Sequence, residues 1–151
     1  MKTMNTQNIE ENSTNIRAIM LEPGKCAYET RINTDLRSLQ RTVDGLIEVL
    51  YLDDDTILVC NDEGKINGMR PNRALRDEDG NILDFICGPF FIARNDDESE
   101  DGFGEMTNEQ AEKYMHIFYL PEDIFIVGNE IMAFKYDPSF FEAEYEDAVK
   151  A

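Results

Sequence analysis

The chain has 151 residues and a formal net charge of −18, and 42% of its residues are apolar, including 9 Phe and 6 Tyr. This apolar content is enough for one folded domain, whereas so acidic a surface repels nucleic-acid phosphates and anionic lipid, so we expect no direct nucleic-acid partner and no membrane partner. No apolar run approaches the roughly 20 residues of a membrane span, and the polar N-terminus lacks the apolar stretch of a signal peptide, so we expect a cytoplasmic protein.

The acidic charge is concentrated in the last third of the chain. Residues 95–151 carry 16 Asp and Glu against 3 Lys and Arg, whereas residues 15–94 carry 14 against 10. We therefore predict a disordered leader over 1–14, an α+β core domain over 15–94, an acidic linker over 95–105 and an acidic extension over 106–151 that packs on the core.

Two segments at the start of the core predict a β-hairpin. Ile16–Leu21 and Cys26–Ile32 have the composition of short strands, and Glu22-Pro23-Gly24-Lys25 between them has Pro and Gly in positions that favour a turn. A helix is predicted next, capped by Thr34 with Asp35 in its first turn and ended by Gly45. Three apolar residues recur at helical spacing and are expected to face the sheet: Leu36, Leu39 and Val43.

The best strand pattern in the chain follows this helix. Leu46–Leu52 and Thr56–Cys60 flank an acidic turn and are expected to pair as an antiparallel hairpin. Lys65–Met69 is predicted as a short edge segment, and residues 70–81 as an irregular polar loop. The core resumes at Ile82–Ala93, where Gly88-Pro89 predicts a break because proline donates no hydrogen bond to a strand neighbour.

Local signals also divide the acidic extension. Thr107-x-x-Gln110 is a capping-box pattern that predicts a helix through about Phe118, and Gly128-Asn129 between two apolar segments predicts a tight hairpin. The tail from Ser139 onward is a candidate for an acidic amphipathic helix. The whole pattern predicts an α+β fold, with a small mixed or antiparallel sheet, a packed helix and a C-terminal helix-hairpin-helix extension.

No residue pattern predicts a cofactor or a metal site. The three cysteines are widely spaced and lie in or beside apolar segments, so we expect reduced and mostly buried thiols at Cys26, Cys60 and Cys87. The chain has one histidine and no CxxC pair, so we expect no metal site. It has no GxSxG or other nucleophile pattern, so we expect no catalytic residue.

The predicted polar loop concentrates Asn and Arg between core strands, where scaffolds often place functional groups. A small anion or nucleotide could bind there, with these candidate residues: Asn61, Lys65, Arg70, Asn72, Arg73 and Arg76. The alternative is structural, in which the arginines pair with Asp77, Glu78 and Asp79.

The acidic charges of the last third suggest a contact surface for a basic partner. The candidate partner-binding residues are Asp96, Asp97, Glu98, Glu100, Asp101, Glu142, Glu144 and Glu146. Two alternatives remain open: the charges only keep the chain in solution, or they imitate the phosphates of a nucleic acid.

Five segments carry a resemblance to a known family: Glu22–Lys25, Val43–Glu48, Cys60–Lys65, Asn72–Leu75 and Gly88–Phe91. Together they make the region from about Ile16 to Ala93 resemble domain of unknown function 3846, whose members occur largely in bacteriophages and other bacterial mobile elements. The resemblance implies a small protein inside a bacterial host cell and supplies no catalytic residue. The family often has a second glycine where this chain has Asp44, which makes that turn less permissive.

These observations favour a non-enzymatic accessory protein that binds a basic protein of the host or of the mobile element. The alternative is a small-ligand module built around Asn72 and Arg73. A hydrolase that uses clustered carboxylates and a metal is a third, less favoured hypothesis. The sequence does not indicate an oligomeric state.

Overall fold

The computed structural model describes residues 15–140. The predicted leader over 1–14 and nearly all of the predicted tail helix therefore lie outside the described residues. The described part contains ten strands and two helices: β1 (Asn15–Leu21), β2 (Tyr28–Asn33), α1 (Leu36–Val43), β3 (Ile47–Asp53), β4 (Thr56–Asn61), β5 (Pro71–Arg76), β6 (Ile82–Cys87), β7 (Phe90–Asn95), β8 (Phe103–Gly104), α2 (Asn108–Phe118), β9 (Glu122–Val127) and β10 (Glu130–Lys135).

One antiparallel sheet organises the fold. Its order is β2-β1-β7-β4-β3, and the short β8 also pairs with β7. The hairpins β5–β6 and β9–β10 are separate two-stranded sheets. The predicted α+β class is therefore confirmed, and all strand pairs in the described region are antiparallel.

Both faces of the main sheet are buried, so its central strands are apolar at consecutive positions. On one face α1 packs over the sheet, with this set of buried side chains: Leu39, Val43, Ile57, Val59 and Phe91. The opposite face is covered by α2 and by the β5–β6 hairpin. Its core includes Leu58, Phe90, Ile92, Tyr114 and Phe118. Each large apolar side chain that is fully buried contributes about 1.5–3 kcal/mol.

The start of α1 differs from the sequence prediction by one residue. Asp35 caps the helix, because its carboxylate accepts a hydrogen bond from the Ser38 N–H at 2.9 Å. Thr34 is buried and hydrogen-bonds the carboxylate of Asp101, so it does not serve as the cap. Leu36 is 58% exposed, whereas Leu39 and the end of α1 face the core as predicted.

The turn that ends α1 uses an unusual residue. Asp44 has φ 60°, in the left-handed region, and it is the one non-glycine residue between 15 and 140 with a positive φ. The Gly45 N–H donates to the Gln40 carbonyl at 2.9 Å, which satisfies one of the last helical acceptors. Asp44, where the resemblance implies that a glycine is common, is therefore the residue that adopts a glycine-like conformation.

Two predictions between β4 and β6 are wrong. Residues 65–69 form turns and not an edge strand, with the Met69 N–H donating to the Gly64 carbonyl at 2.9 Å. Residues 70–81 contain β5, in which Asn72 and Arg73 are fully buried. The polar composition was misleading because these side chains find hydrogen-bond partners inside the protein.

Local signals placed the later elements correctly. The Thr107 hydroxyl accepts from the Gln110 N–H at 3.1 Å, and the Gln110 side chain accepts from the Thr107 N–H at 2.9 Å, so the capping box is confirmed. Gly128 turns the β9–β10 hairpin with φ 64°. Within the stretch 95–105, β8 pairs with β7 and Phe103 is buried. Between residues 15 and 140, neither helix is long and apolar enough to cross a membrane.

Candidate functional site

The predicted ligand residues Asn72 and Arg73 lie side by side on β5, beneath the end of α2. The Asn72 amide donates to the carbonyls of Leu21 and Gly88, each at 2.9 Å. Its side-chain oxygen accepts from the Arg73 guanidinium at 2.8 Å. The amide therefore joins β5 to the end of β1 and to the break before β7.

Arg73 joins β5 to two other segments through backbone carbonyls. Its Nε donates to the Phe118 carbonyl at 3.0 Å, and its Nη2 donates to the Lys25 carbonyl at 2.7 Å and the Tyr119 carbonyl at 3.4 Å. The last carbonyls of a helix lack helical donors and carry its negative dipole end, so a cation is favourable there. Burial lowers the pKa of Arg73 to about 10 while Glu122 opposes the shift, so the guanidinium stays charged at neutral pH.

Glu122 is a residue that the sequence analysis missed. Its side chain is 1% exposed, its Oε2 accepts from the Ala74 N–H at 3.1 Å, and its Oε1 forms an ion pair with Arg76. It thereby attaches β9 to β5. The available signal was a pair of carboxylates at the start of the apolar strand segment 124–127, where a buried charge needs a partner.

The six candidate ligand residues do not converge on one site. Asn61 is the last residue of β4. Its amide donates to the carbonyls of Val43 and Asp44 at 3.1 and 3.0 Å, at the end of α1. Lys65 is exposed and pairs with Asp84, and Arg70 is exposed near the Tyr136 hydroxyl at 3.4 Å. Because the segment forms β5 and not a helical turn, Arg73 and Arg76, three residues apart, do not share one face of it.

A small acidic cavity lies beside Lys65. Its volume is about 210 Å³, and its polar lining includes Glu48, Asp62 and Asp84. Partial burial and the neighbouring Asp62 raise the pKa of Glu48. Burial also raises the pKa of the adjacent Cys60 thiol to about 12, so this thiol is protonated at neutral pH and is a poor nucleophile.

The acidic run 96–101 is an ordered loop between β7 and β8. The Asp96 carboxylate accepts from the Glu98 N–H at 3.1 Å, and the Asp101 carboxylate accepts from the Phe103 N–H at 3.0 Å. The Asp96 N–H donates to the Gly102 carbonyl at 2.8 Å and closes the loop. These bonds leave the side chains of Asp97, Glu98 and Glu100 to face the solvent.

Asp101 also anchors this loop to the start of α1. Partial burial tends to raise the pKa of Asp101, but hydrogen bonds from Thr34, Phe103 and Ser99 outweigh it, so the pKa is lowered. The loop is therefore charged and fixed at neutral pH. The remaining candidate partner residues Glu142, Glu144 and Glu146 lie outside the described residues.

A metal site in the described residues would require several ligating side chains close together. Between residues 15 and 140 there is no group of three or more His, Cys, Asp or Glu that could hold a metal ion. Every buried side-chain nitrogen and oxygen in this region has a hydrogen-bond partner. Binding of a nucleotide or other anion stays a prediction. Asn61 and Lys65 both line the acidic cavity, whereas Asn72 and Arg73 are buried in β5.

Comparison with known proteins yields a family assignment. The family model described as Domain of unknown function (DUF3846) matches residues 16–119, which extends from β1 to the end of α2. No curated protein and no solved structure matches the chain. The match includes the acidic loop and α2 as well as the segments on which the resemblance was based, and it covers more than half of the sequence. The chain therefore belongs to the DUF3846 family.

Proposed function

We propose that this chain is a non-enzymatic accessory protein, of phage or mobile-element type, that binds a basic host or element-encoded protein in the cytoplasm of a bacterial cell. The observation that carries the proposal is the ordered loop 96–101, which has five carboxylates among six residues and no basic residue. A loop that is already ordered loses little conformational entropy when a partner binds to its charged side chains. In this proposal the acidic extension is a helix-hairpin-helix, and its tail adds Glu142, Glu144 and Glu146 to the same contact.

The geometry of the loop supports a contact role over a merely solvated charge run. A flexible acidic segment would expose all its carboxylates, but here Asp96 and Asp101 hold the backbone while three others point outward. A fixed set of like charges raises the association rate of an oppositely charged partner and helps to orient it. Such attraction weakens as salt screens the charges.

A binding experiment with matched variants tests the proposal. The full chain is immobilised in a bacterial cell extract at low and at high salt, and the retained proteins are identified by mass spectrometry. The loop variant replaces three exposed acids: Asp97→Asn, Glu98→Gln and Glu100→Gln. The control variant removes the same charge from exposed acids elsewhere: Glu63→Gln, Glu78→Gln and Asp79→Asn.

The proposal predicts a basic protein that is retained at low salt, released at high salt, and lost from the loop variant but not from the control. Equal loss from both variants would show that only net charge matters. Retention of no basic protein by the unmodified chain would overturn the proposal.

A further inference from the structure

One face of the β9–β10 hairpin carries four exposed apolar side chains in the described part of the chain, together with Asp123 and Glu130. Phe125 lies opposite Met132 in the strand register, Phe134 lies opposite Asp123, and Val127 lies at the tip. The exposed fractions are 54% for Phe125, 59% for Val127, 40% for Met132 and 53% for Phe134. The two phenylalanine rings have centroids 6.3 Å apart. We call these four side chains the hairpin patch.

The exposure of the patch is unusual. A two-stranded hairpin is only marginally stable in water, and burial of an apolar face against other parts of the protein is what usually stabilises it. The other face of this hairpin is attached to the body at its base, where Glu122 bonds to the Ala74 N–H and Arg76, whereas Ile126 near the tip of that face is 63% exposed. Four large apolar side chains remain on the outer face of a protein whose net charge is −18. Contiguous exposed apolar surface of this kind marks a contact site.

We propose that the C-terminal segment 141–151 of the same chain docks on the hairpin patch as an amphipathic helix. The first argument is where the chain leaves the described region. Strand β10 ends at Lys135, opposite Glu122, at the end of the hairpin that adjoins the body. The Asp137 carboxylate then accepts from the Ser139 N–H at 2.9 Å, which is the arrangement of a helix cap.

The second argument is length. Eleven residues of helix extend about 16 Å, and the six residues of β10 extend about 20 Å. A helix that starts at the base of the hairpin and runs back toward its tip therefore passes Phe134 first, then Phe125 and Met132. Its end comes close to Val127. The segment 141–151 is therefore long enough as a helix to cover the patch, and it would extend little beyond it.

The third argument is the spacing of apolar residues. Phe141, Tyr145 and Val149 occur every four residues, so in a helix they share one face. The acids of the segment, including Glu142 and Glu146, then border that face or lie on the other side. The apolar stripe of the helix would pack against the hairpin patch, and its charges would remain in water.

Tethering and charge favour this occupant over a second molecule. A segment joined to the patch by a few residues has an effective concentration on the order of millimolar. A second copy of the chain would bring another net charge of −18 against the first, and like charges oppose association. The proposal is independent of the acidic loop and does not require a partner.

Nuclear magnetic resonance on the full chain tests the docking. The apolar-face variant carries Phe141→Ser, Tyr145→Ser and Val149→Ser. The matched control carries three substitutions on the opposite helix face, Ala143→Ser, Asp147→Asn and Lys150→Gln, and neither variant changes the net charge. A chain that ends at Phe140 removes the whole segment. Amide shifts, binding of a hydrophobic fluorescent dye and molar mass are measured at low and high protein concentration.

Docking predicts amide shift changes over 122–135 and increased dye binding in the apolar-face variant and in the shortened chain, but not in the control. The unmodified chain should show the same shifts at both concentrations and the mass of a monomer. Identical 122–135 shifts in all four proteins would overturn the proposal. So would shifts that appear only together with a doubled mass, because a second copy would then occupy the patch.

Discussion

Replacing Arg73 by methionine tests whether its buried guanidinium holds the fold together. Methionine has a similar length and no donor, so the packing volume is largely kept while all hydrogen bonds of the guanidinium are lost. Three acceptors lose a short bond: the Phe118 carbonyl, the Lys25 carbonyl and the Asn72 side-chain oxygen.

The magnitude follows from these three bonds. A buried acceptor that loses its donor costs about 1–3 kcal/mol, so the three together cost about 3–9 kcal/mol. The folded protein no longer has to desolvate a guanidinium, which returns several kcal/mol. We therefore expect Arg73→Met to lower the free energy of unfolding by about 2–5 kcal/mol.

Urea denaturation followed by circular dichroism measures this loss. Arg37→Met is the matched control, because Arg37 is exposed on α1 and its replacement changes the net charge equally. Arg73→Lys keeps the charge but not the planar group, so its stability should fall between the wild-type value and that of Arg73→Met. It also gives a measurable value if the methionine variant does not fold. A loss for Arg73→Met no larger than that for Arg37→Met would refute the reasoning.

Three further predictions concern a turn, a carboxyl group and a glycine. Because Asp44 has a left-handed φ, Asp44→Gly should raise the free energy of unfolding by up to about 1 kcal/mol, and Asp44→Val should lower it by about 1–2 kcal/mol. Thermal unfolding measures both changes, and a shift of both variants in the same direction would contradict the prediction. Partial burial and Asp62 raise the pKa of Glu48, so the folded state binds its proton more tightly, and stability is lost as pH rises through that pKa. Glu48→Gln should therefore raise the urea midpoint at pH 7, and this increase should disappear below about pH 4. An equal increase at both pH values would show that the raised pKa of Glu48 is not its cause. In Gly64→Ala the new Cβ would lie 2.5 Å from the Cys87 carbonyl oxygen. This contact should lower the free energy of unfolding, measured by urea denaturation, by about 1–3 kcal/mol. A variant as stable as wild type would contradict the expected clash.

Elements with a local chemical signal were predictable from the sequence. The β1–β2, β3–β4 and β9–β10 hairpins each have a recognisable turn between two apolar segments, and α2 has a capping box that forms as expected. In these cases the residues that decide the structure are neighbours in the chain. The strand order of the main sheet has no such signal, because it depends on pairs such as Ile19 with Ile92.

Strand β5 shows why the segment that contains Asn72 and Arg73 was predicted as a loop although it forms a strand. Asn72 and Arg73 indicate an exposed loop when they are considered only with their neighbours in sequence. Their acceptors, at Leu21, Gly88 and Phe118, come from three distant segments, and tertiary contacts thereby override local preference. The acidic loop 96–101 was predictable from charge alone, but its order depends on Thr34 and on backbone bonds to β8.

The central position of β7 has a consequence for how the chain is made. This strand joins β1 on one side to β4 on the other, yet it is synthesised after both of them. During translation the earlier hairpins have no surface on which to assemble until residues near Ala93 leave the ribosome. The pairings that join the hairpins into one sheet thus form between residues far apart in sequence, and we expect slow, highly cooperative folding with no stable N-terminal fragment.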